Sequence, residues 1–389
     1  MRTISTDERR RRLGLRHHLA APADDVERVA DDLVGLHSSD PVSVYLSAWA
    51  RVGNLTVADV ERALYEDRSL VRMLGMRRTM FAVPLDLAAV MNAACTSGYV
   101  AAERHRLVGF LEDQLVDGDG GAWLEDVLDK TMAALHRRGE ATATELVEDV
   151  PELSGKLAFG EGTTWQGSFG LSTRVLFLLA TDRRVIRARP LGSWKSSQYR
   201  WAPLKSWIRD EFPEMEPSEA RRQLATRWLR AYGPGSLKDL KWWTGWTVAR
   251  TRAALEEVGA VSISMNGEVG YVLPDDLDPI GEVGEWVALL PGLDPTVMGW
   301  KERDWFLGSF GERLFDTNGN AGPTVWWNGS IVGAWSQRPD GEVVFELLEK
   351  VPTGVLARIE GEAARLTEWL DGVVIRPRFS TTLEKGLRS

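Results

Sequence analysis

Apolar residues recur every three to four positions through the first seventy residues and then give way to alternation. Val26, Val29, Ala30, Leu33 and Val34 mark one helical face, with Asp24, just after Pro22, placed to cap it. Val42, Tyr45, Leu46, Trp49 and Ala50 mark a second. There Asp40 precedes Pro41, an N-cap followed by proline at a position whose N–H has no helical partner to lose. Thr56 caps a third helix through Val57, Val60, Ala63 and Leu64, and residues 70–84 then alternate around Gly75 like two short strands and a turn. Helices closed by a two-stranded ribbon predict a winged helix, with Arg77 and Arg78 on or near the wing. Plain surface arginines are the alternative for that pair.

The same order recurs twice. A helical connector over about 86–118 ends in a glycine-rich turn, and Leu124, Val127, Leu128, Met132 and Leu135 open a new helix. A short strand after Glu140 leads to a helix capped near Thr144. The helical face of 171–180 runs into an alternating, basic 183–189. The third copy starts near Pro217, turns at 233–236, uses Ser236 as a cap and places Arg250 and Arg252 on a helix over 248–258. Its ribbon turns at Asn266-Gly267, the strongest short-range hairpin signal, so this is the clearest helix-turn-helix with a wing. From about 283 the period becomes two. Short strands are expected at 286–290, 313–315, 324–327, 330–336, 343–348 and 372–377, with a helix over 352–370. The fold class expected is α+β: three tandem winged-helix units over 1–118, 119–205 and 206–278, then a small β-barrel over 279–389.

Composition narrows the chemistry. With 44% apolar and 26% charged residues among 389, the chain is an ordinary globular one with ample cores. One cysteine, Cys95, excludes a disulfide framework and any multi-cysteine metal site. The charged N-terminus and the lack of any apolar run near membrane length predict a cytoplasmic chain with no signal peptide and no membrane span. A net charge of −9 argues against nucleic acid, yet residues 1–18 carry a local +4 and residues 181–210 a local +6. Local patches, not totals, set phosphate affinity, although a solvated surface explains such runs equally well. Tryptophan is the outlier at 17 residues, available for stacking on bases or for the core.

No Walker A loop, dinucleotide fingerprint, His-Glu-x-x-His or Gly-x-Ser-x-Gly is present, and the five histidines lack metal-ligand spacing. No metal or other cofactor is therefore expected. One polar cluster remains in an apolar neighbourhood: His37, Ser38, Ser39 and Asp40, at or just before a helix N-terminus. Ser39 and Asp40 as caps beside a core histidine is the structural alternative. As chemistry, a neutral imidazole or a hydroxyl there accepts a hydrogen bond from a water, and Asp40 places negative charge near a developing cation.

Gly35-Leu-His-Ser-Ser-Asp-Pro41 resembles the catalytic signature of the AlkZ/YcaQ family of winged-helix DNA glycosylases. The resemblance extends over 192–203, 232–245, 289–300, 315–326 and 376–379. It implies a C-shaped protein whose three winged helices line a channel for double-stranded DNA carrying alkylated guanine. It also implies a monomeric enzyme that hydrolyses the N-glycosidic bond of N7-alkylated purines. In that family two Gln, or Gln and Asp, flank an apolar residue and position the water that attacks the sugar. Here His37 and Ser39 take those places and Ser38 the apolar one, which resembles the branch tied to self-resistance against guanine-alkylating natural products and implies bulky adducts as substrates. Phosphate contacts then fall to Arg77, Arg78, Arg183, Arg184, Arg187, Lys195 and Arg200, with Gln198 and Trp201 beside them. Residues 1–129 contain no lysine, so no Schiff-base nucleophile stands beside the motif and a glycosylase without lyase activity is expected. A regulator that binds DNA without catalysis and a glycosylase for simple methylated purines are the rival readings.

Overall fold

The computed structural model describes residues 2–164, 166–208 and 212–388. Helices α1 (Thr6–Arg16) and α2 (Val26–Asp32) lead to a two-residue strand β1 (Leu36–His37), followed by α3 (Pro41–Trp49) and α4 (Val57–Glu61). Strands β2 (Leu70–Leu74) and β3 (Met80–Pro84) form the expected hairpin. β1 adds to it in the order β1-β3-β2, with His37 opposite Phe81. Asp40 and Thr56 cap as expected, but Asp25 rather than Asp24 caps α2, because its side chain reaches the N–H of Arg28.

α5 (Leu85–Met91) and α6 (Ser97–Gln114) connect to α7 (Gly120–Arg138) and α8 (Ala143–Asp149). α8 is capped by Thr142, not Thr144: the Thr142 hydroxyl and the Glu145 carboxylate satisfy each other's backbone N–H groups in a capping box. An unanticipated hairpin, β4 (Lys156–Phe159) and β5 (Gly167–Gly170), precedes α9 (Leu171–Thr181) and the ribbon β6 (Val185–Pro190) and β7 (Tyr199–Pro203). A turn of helix, α10 (Leu204–Trp207), follows. Arg209 and Asp210, which end the second basic run, lie outside the described residues. α11 (Pro217–Tyr232), α12 (Leu237–Thr244), α13 (Val248–Val258) and the ribbon β8 (Val261–Met265) and β9 (Glu268–Val272) match the third expected copy.

The C-terminal region corrects the sequence reading. β10 (Val287–Leu290), three single turns α14 (Pro295–Met298), α15 (Asp304–Leu307) and α16 (Gly311–Leu314), then β11 (Thr324–Trp327), β12 (Ser330–Gln337) and β13 (Val343–Leu347) make an open antiparallel sheet in chain order, β10-β11-β12-β13. α17 (Thr353–Leu370) and α18 (Thr382–Arg388) pack against it. No closed barrel forms among the described residues. Arg313 and Leu314 end the turn α16, Phe315 makes a single bridge to Ala321, and 372–377 form no ladder, Gly372 sitting at φ +75° and Pro377 lacking an N–H. Four strands are too few to curl round and meet.

One apolar core joins the N-terminal unit, the third unit and the C-terminal sheet, while α6–α9 gather a core of their own around Leu111, Leu128, Leu135 and Leu179. The larger core holds fully buried Trp228, Trp300, Trp326 and Trp335, so these tryptophans are structural. A buried ion pair bolts α3 to the segment before α14. Arg51 Nη2 lies 2.7 Å from Asp294 Oδ1, both side chains are fully inaccessible, and Ser47 Oγ donates to Asp294 Oδ2 at 2.7 Å. Removing one partner would strand a buried charge, so the joint is rigid in the sense that matters for α3 and what precedes it.

Candidate functional site

The chain reverses sharply at Val34 (φ +53°) and Gly35 (φ +101°), which swings α2 into β1. A Cβ on Gly35 would fall 2.8 Å from Val83 Cγ1, so only glycine lets the turn lie against β3. The ladder continues one residue past β1, where Ser38 N–H donates to the Met80 carbonyl at 2.7 Å. His37–Asp40 thus runs along a strand edge and into the N-terminus of α3, pinned on both sides.

Each side chain in the motif has a distinct fate. Ser38 is buried, its Oγ accepting from Arg72 Nε at 2.8 Å. Ser39 is half-buried; its Oγ lies 3.4 Å from the Met80 N–H and its carbonyl accepts from Arg378 Nη1 at 3.0 Å. Asp40 is 8% exposed. Its Oδ1 faces the Val42 N–H at 3.3 Å and its Oδ2 accepts from the Arg378 N–H at 2.9 Å. Burial raises the Asp40 carboxyl above its usual range, opposed by those two N–H donors and by the charges of Arg378 and Arg72. Capping and the Arg378 contact therefore occupy this carboxylate from both ends.

His37 is 6% exposed and tilts against Phe81, ring centres 5.2 Å apart. Burial, and then the nearby Arg77 charge, push its pKa down to about 3, so the ring is neutral. Its Nδ1 receives the Ser39 N–H at 3.4 Å. A neutral imidazole that accepts at Nδ1 carries its proton on Nε2. The free nitrogen thus donates, where the sequence reading had the ring accept from a water. His37 lines a cavity of about 10 Å³, near the threshold for one water, together with Arg77, Phe81, Tyr232, Trp243 and Met298.

Arg77 and Arg78 form the tip of the first hairpin, both in the left-handed region (φ +52° and +62°), a conformation that disfavours side chains with a Cβ. Arg78 pairs with Glu103 at 2.7 Å. Arg77 has no carboxylate partner among the described residues and lies 4.0 Å over the Trp242 ring. Arg303 lies 4.8 Å over the same ring and donates Nε to the Trp300 carbonyl. Burial, then the neighbouring Arg77 charge, lower Arg303 to about 10. Two cations thus share one indole beside the His37 cavity. The second basic run disperses: Arg184 pairs with Asp129 at 2.9 Å, and Lys195 Nζ donates to the Val374 carbonyl at 2.9 Å. Arg183 sits 5.7 Å over Phe212 and Arg187 4.2 Å over Tyr199. Gln198 is exposed and Arg200 half-buried, while Trp201 is held in β7 opposite Arg187.

Pattern reasoning over 33–51 found the motif but missed its supports. Arg72, Trp242, Arg303 and Arg378 come from four other segments; Trp242 and Arg378 lay in stretches already singled out, 232–245 and 376–379, and Arg72 in the alternating 70–84, but no local pattern tied them to the motif. Among the described residues no cluster of His, Cys, Asp and Glu could hold a metal ion, and no helix is long and apolar enough to cross a membrane.

A family model described as "DNA glycosylase AlkZ-like" matches residues 30–369. The solved structure of Streptomyces sahachiroi DNA glycosylase AlkZ superposes with a TM-score of 0.72 at 18% identity, over 97% of this chain and 100% of that one. Among curated proteins none matches the chain in sequence.

Proposed function

From the premise that the chain belongs to the AlkZ-like DNA glycosylase family, we propose that it hydrolyses the N-glycosidic bond of N7-alkylated purines in double-stranded DNA, bulky N7-guanine adducts foremost. An N7-alkylated guanine already carries positive charge, so it departs as a neutral base and leaves an oxocarbenium-like sugar. The site then has to steady a cation and deliver a water. His37, neutral and donating from Nε2, holds the water's oxygen, while the Asp40 carboxylate supplies the one negative charge of the motif. Ser39 is the accessible hydroxyl between them.

The observation that carries this reading is the water-sized cavity at His37, next to Arg77, a cation with no carboxylate partner among the described residues. The cavity is far too small for a flipped base, which fits a water that approaches the sugar while the adducted base stays outside. Arg77, Arg303 and the less neutralised members of the second run, Arg183 and Arg200, are the phosphate contacts. The three ribbons, β2–β3, β6–β7 and β8–β9, are the wings of three winged helices around the DNA.

The test uses duplexes carrying 7-methylguanine or a bulky N7-guanine adduct, scored for abasic sites as alkali-labile breaks. The wild type should release the base and leave the strand intact until alkali is added, since residues 1–129 hold no lysine. His37→Ala should lower excision by about 10²-fold or more with DNA binding retained. Equal turnover by the variant removes His37 from the reaction. The burial of His37 and Asp40 favours one rival, a DNA-binding protein without catalysis, and the absence of abasic sites from both duplexes would establish that rival.

A further inference from the structure

A second cavity lies apart from the water-sized one. It opens between the β2–β3 hairpin and the elements α8, α9, β6 and β7, and measures about 660 Å³. That is the range of small-molecule sites. Leu176, Phe177, Tyr199 and Trp201 give it an apolar, largely aromatic wall.

Three guanidinium groups and one carboxylate, Glu145, line this cavity; Arg183 has Glu214 4.0 Å away, while the other two guanidinium groups lie against the Tyr199 ring. Arg72 and Arg187 lie 5.1 and 4.2 Å from the centre of the Tyr199 ring. Neither forms an ion pair among the described residues, and Arg187 Nε is buried with no acceptor. A buried donor without a partner is unfavourable unless a ligand completes it. Aromatic faces favour a flat ring system, unpaired guanidinium groups favour acceptor oxygens, and both together disfavour a cationic occupant. A phosphate backbone does not fit an apolar wall of this kind.

The cavity is also wired to the motif. Arg72 donates to Ser38 Oγ and to the Ser38 carbonyl, and Met80, another wall residue, presents its N–H to Ser39 Oγ. Whatever presses on Arg72 or Met80 presses on residues 38 and 39. We propose that this cavity binds the non-nucleotide body of the DNA adduct: flat, aromatic, neutral or anionic, with acceptor oxygens turned toward Arg72 and Arg187. The proposal rests on the glycosylase reading and names the substrate feature that the site selects.

The test compares kcat/KM of the full chain on 7-methylguanine and on an N7-guanine adduct bearing a hydroxynaphthyl group. Two variants fill the cavity, Ala180→Phe and, from the exposed side, Thr173→Trp. Circular dichroism and thermal midpoints check that each folds. Filling should lower kcat/KM on the hydroxynaphthyl adduct by about tenfold or more and leave 7-methylguanine within about twofold. Equal losses on both substrates would mean that the cavity takes the base itself, and no loss on either would mean that it takes nothing; both results overturn the proposal. Calorimetry with free hydroxynaphthoate separates this failure from failure of the glycosylase reading. If the wild type cuts neither duplex, binding that the filled variants abolish still supports the cavity's role, and absence of binding overturns it.

Discussion

Two arginine-rich runs look alike in the sequence, residues 1–18 and 181–210, and the fold neutralises the first more fully than the second. In the first, carboxylates meet most of the arginines, although Arg9 lies over a ring, 4.1 Å from the centre of Trp305. Arg12, 1% exposed, lies between Glu8 and Asp276; Arg16 reaches the same Asp276 at 2.6 Å and Arg2 reaches Glu8 at 2.6 Å. In the second, Arg184 and Arg189 are paired and Arg183 lies 4.0 Å from Glu214 as well as over Phe212, but Arg187 meets the Tyr199 ring with no carboxylate partner among the described residues. Two buried, neutral histidines show a similar contrast, His17 in the first run and His37 in the motif. His17 is bonded at both nitrogens, to Thr296 Oγ1 at 2.8 Å and to the Ala231 carbonyl at 3.2 Å. His37 is bonded at one and faces a water-sized space with the other. Charge counts along a chain do not separate the two cases. What separates them is whether acids or rings fold against the charge.

The comparison can be broken at several points. The largest expected effect is Asp276→Ala, which leaves Arg16 without a carboxylate and Arg12 with Glu8 alone, and should lower unfolding free energy by about 3 kcal/mol in urea titration. A loss below about 1 kcal/mol would mean the first run is not structural. Next, His37→Ala and His17→Ala should divide: the former should lose excision by about 10²-fold with little change in melting, the latter should melt earlier with excision per folded molecule unchanged. If the two variants behave alike, the contrast between the histidines is void.

A smaller effect concerns pH. Burial holds both imidazoles below their ordinary value, His37 at about 3, so the unfolded chain binds more protons as pH falls. Their contribution is complete above pH 6.5 and is lost as pH drops from 6.5 toward 3, by up to about 1.4 kcal/mol per pH unit for each ring. The raised Asp40 carboxyl acts in the opposite sense just above pH 3.8, where the folded state keeps its proton longer. Denaturant midpoints at pH 7.0 and 5.5 should show the loss, and His37→Phe should reduce it. The smallest effect is in salt dependence. Arg200→Ala should reduce the slope of log affinity for DNA against log salt by about one, and Arg2→Ala should leave it unchanged.

Much of this architecture was legible in the sequence because it rests on local signals. The Asp40-Pro41 cap, the Asn266-Gly267 turn and the apolar faces of α9, α11 and α13 depend on near neighbours, and each formed where its pattern placed it. That the C-terminal sheet stays open was not legible: residues 313–315 and 372–377 have strand-like composition, but closure is decided by strand count and by breaks at Gly372 and Pro377. The motif itself was visible as polar residues in an apolar stretch. Its protonation and direction were not, since both depend on Arg77, Phe81 and the Ser39 N–H being brought together in space. Arg72 hid as one polar position in an alternating strand, and Arg303 sat in a segment with no periodic signal.

The contact from residue 378 back to Asp40 bridges 338 positions. The carboxylate at the head of α3 is thus completed only by a residue synthesised 338 positions later, so a chain interrupted before residue 378 would fold the hairpins and keep the arginines of the second run without the finished motif.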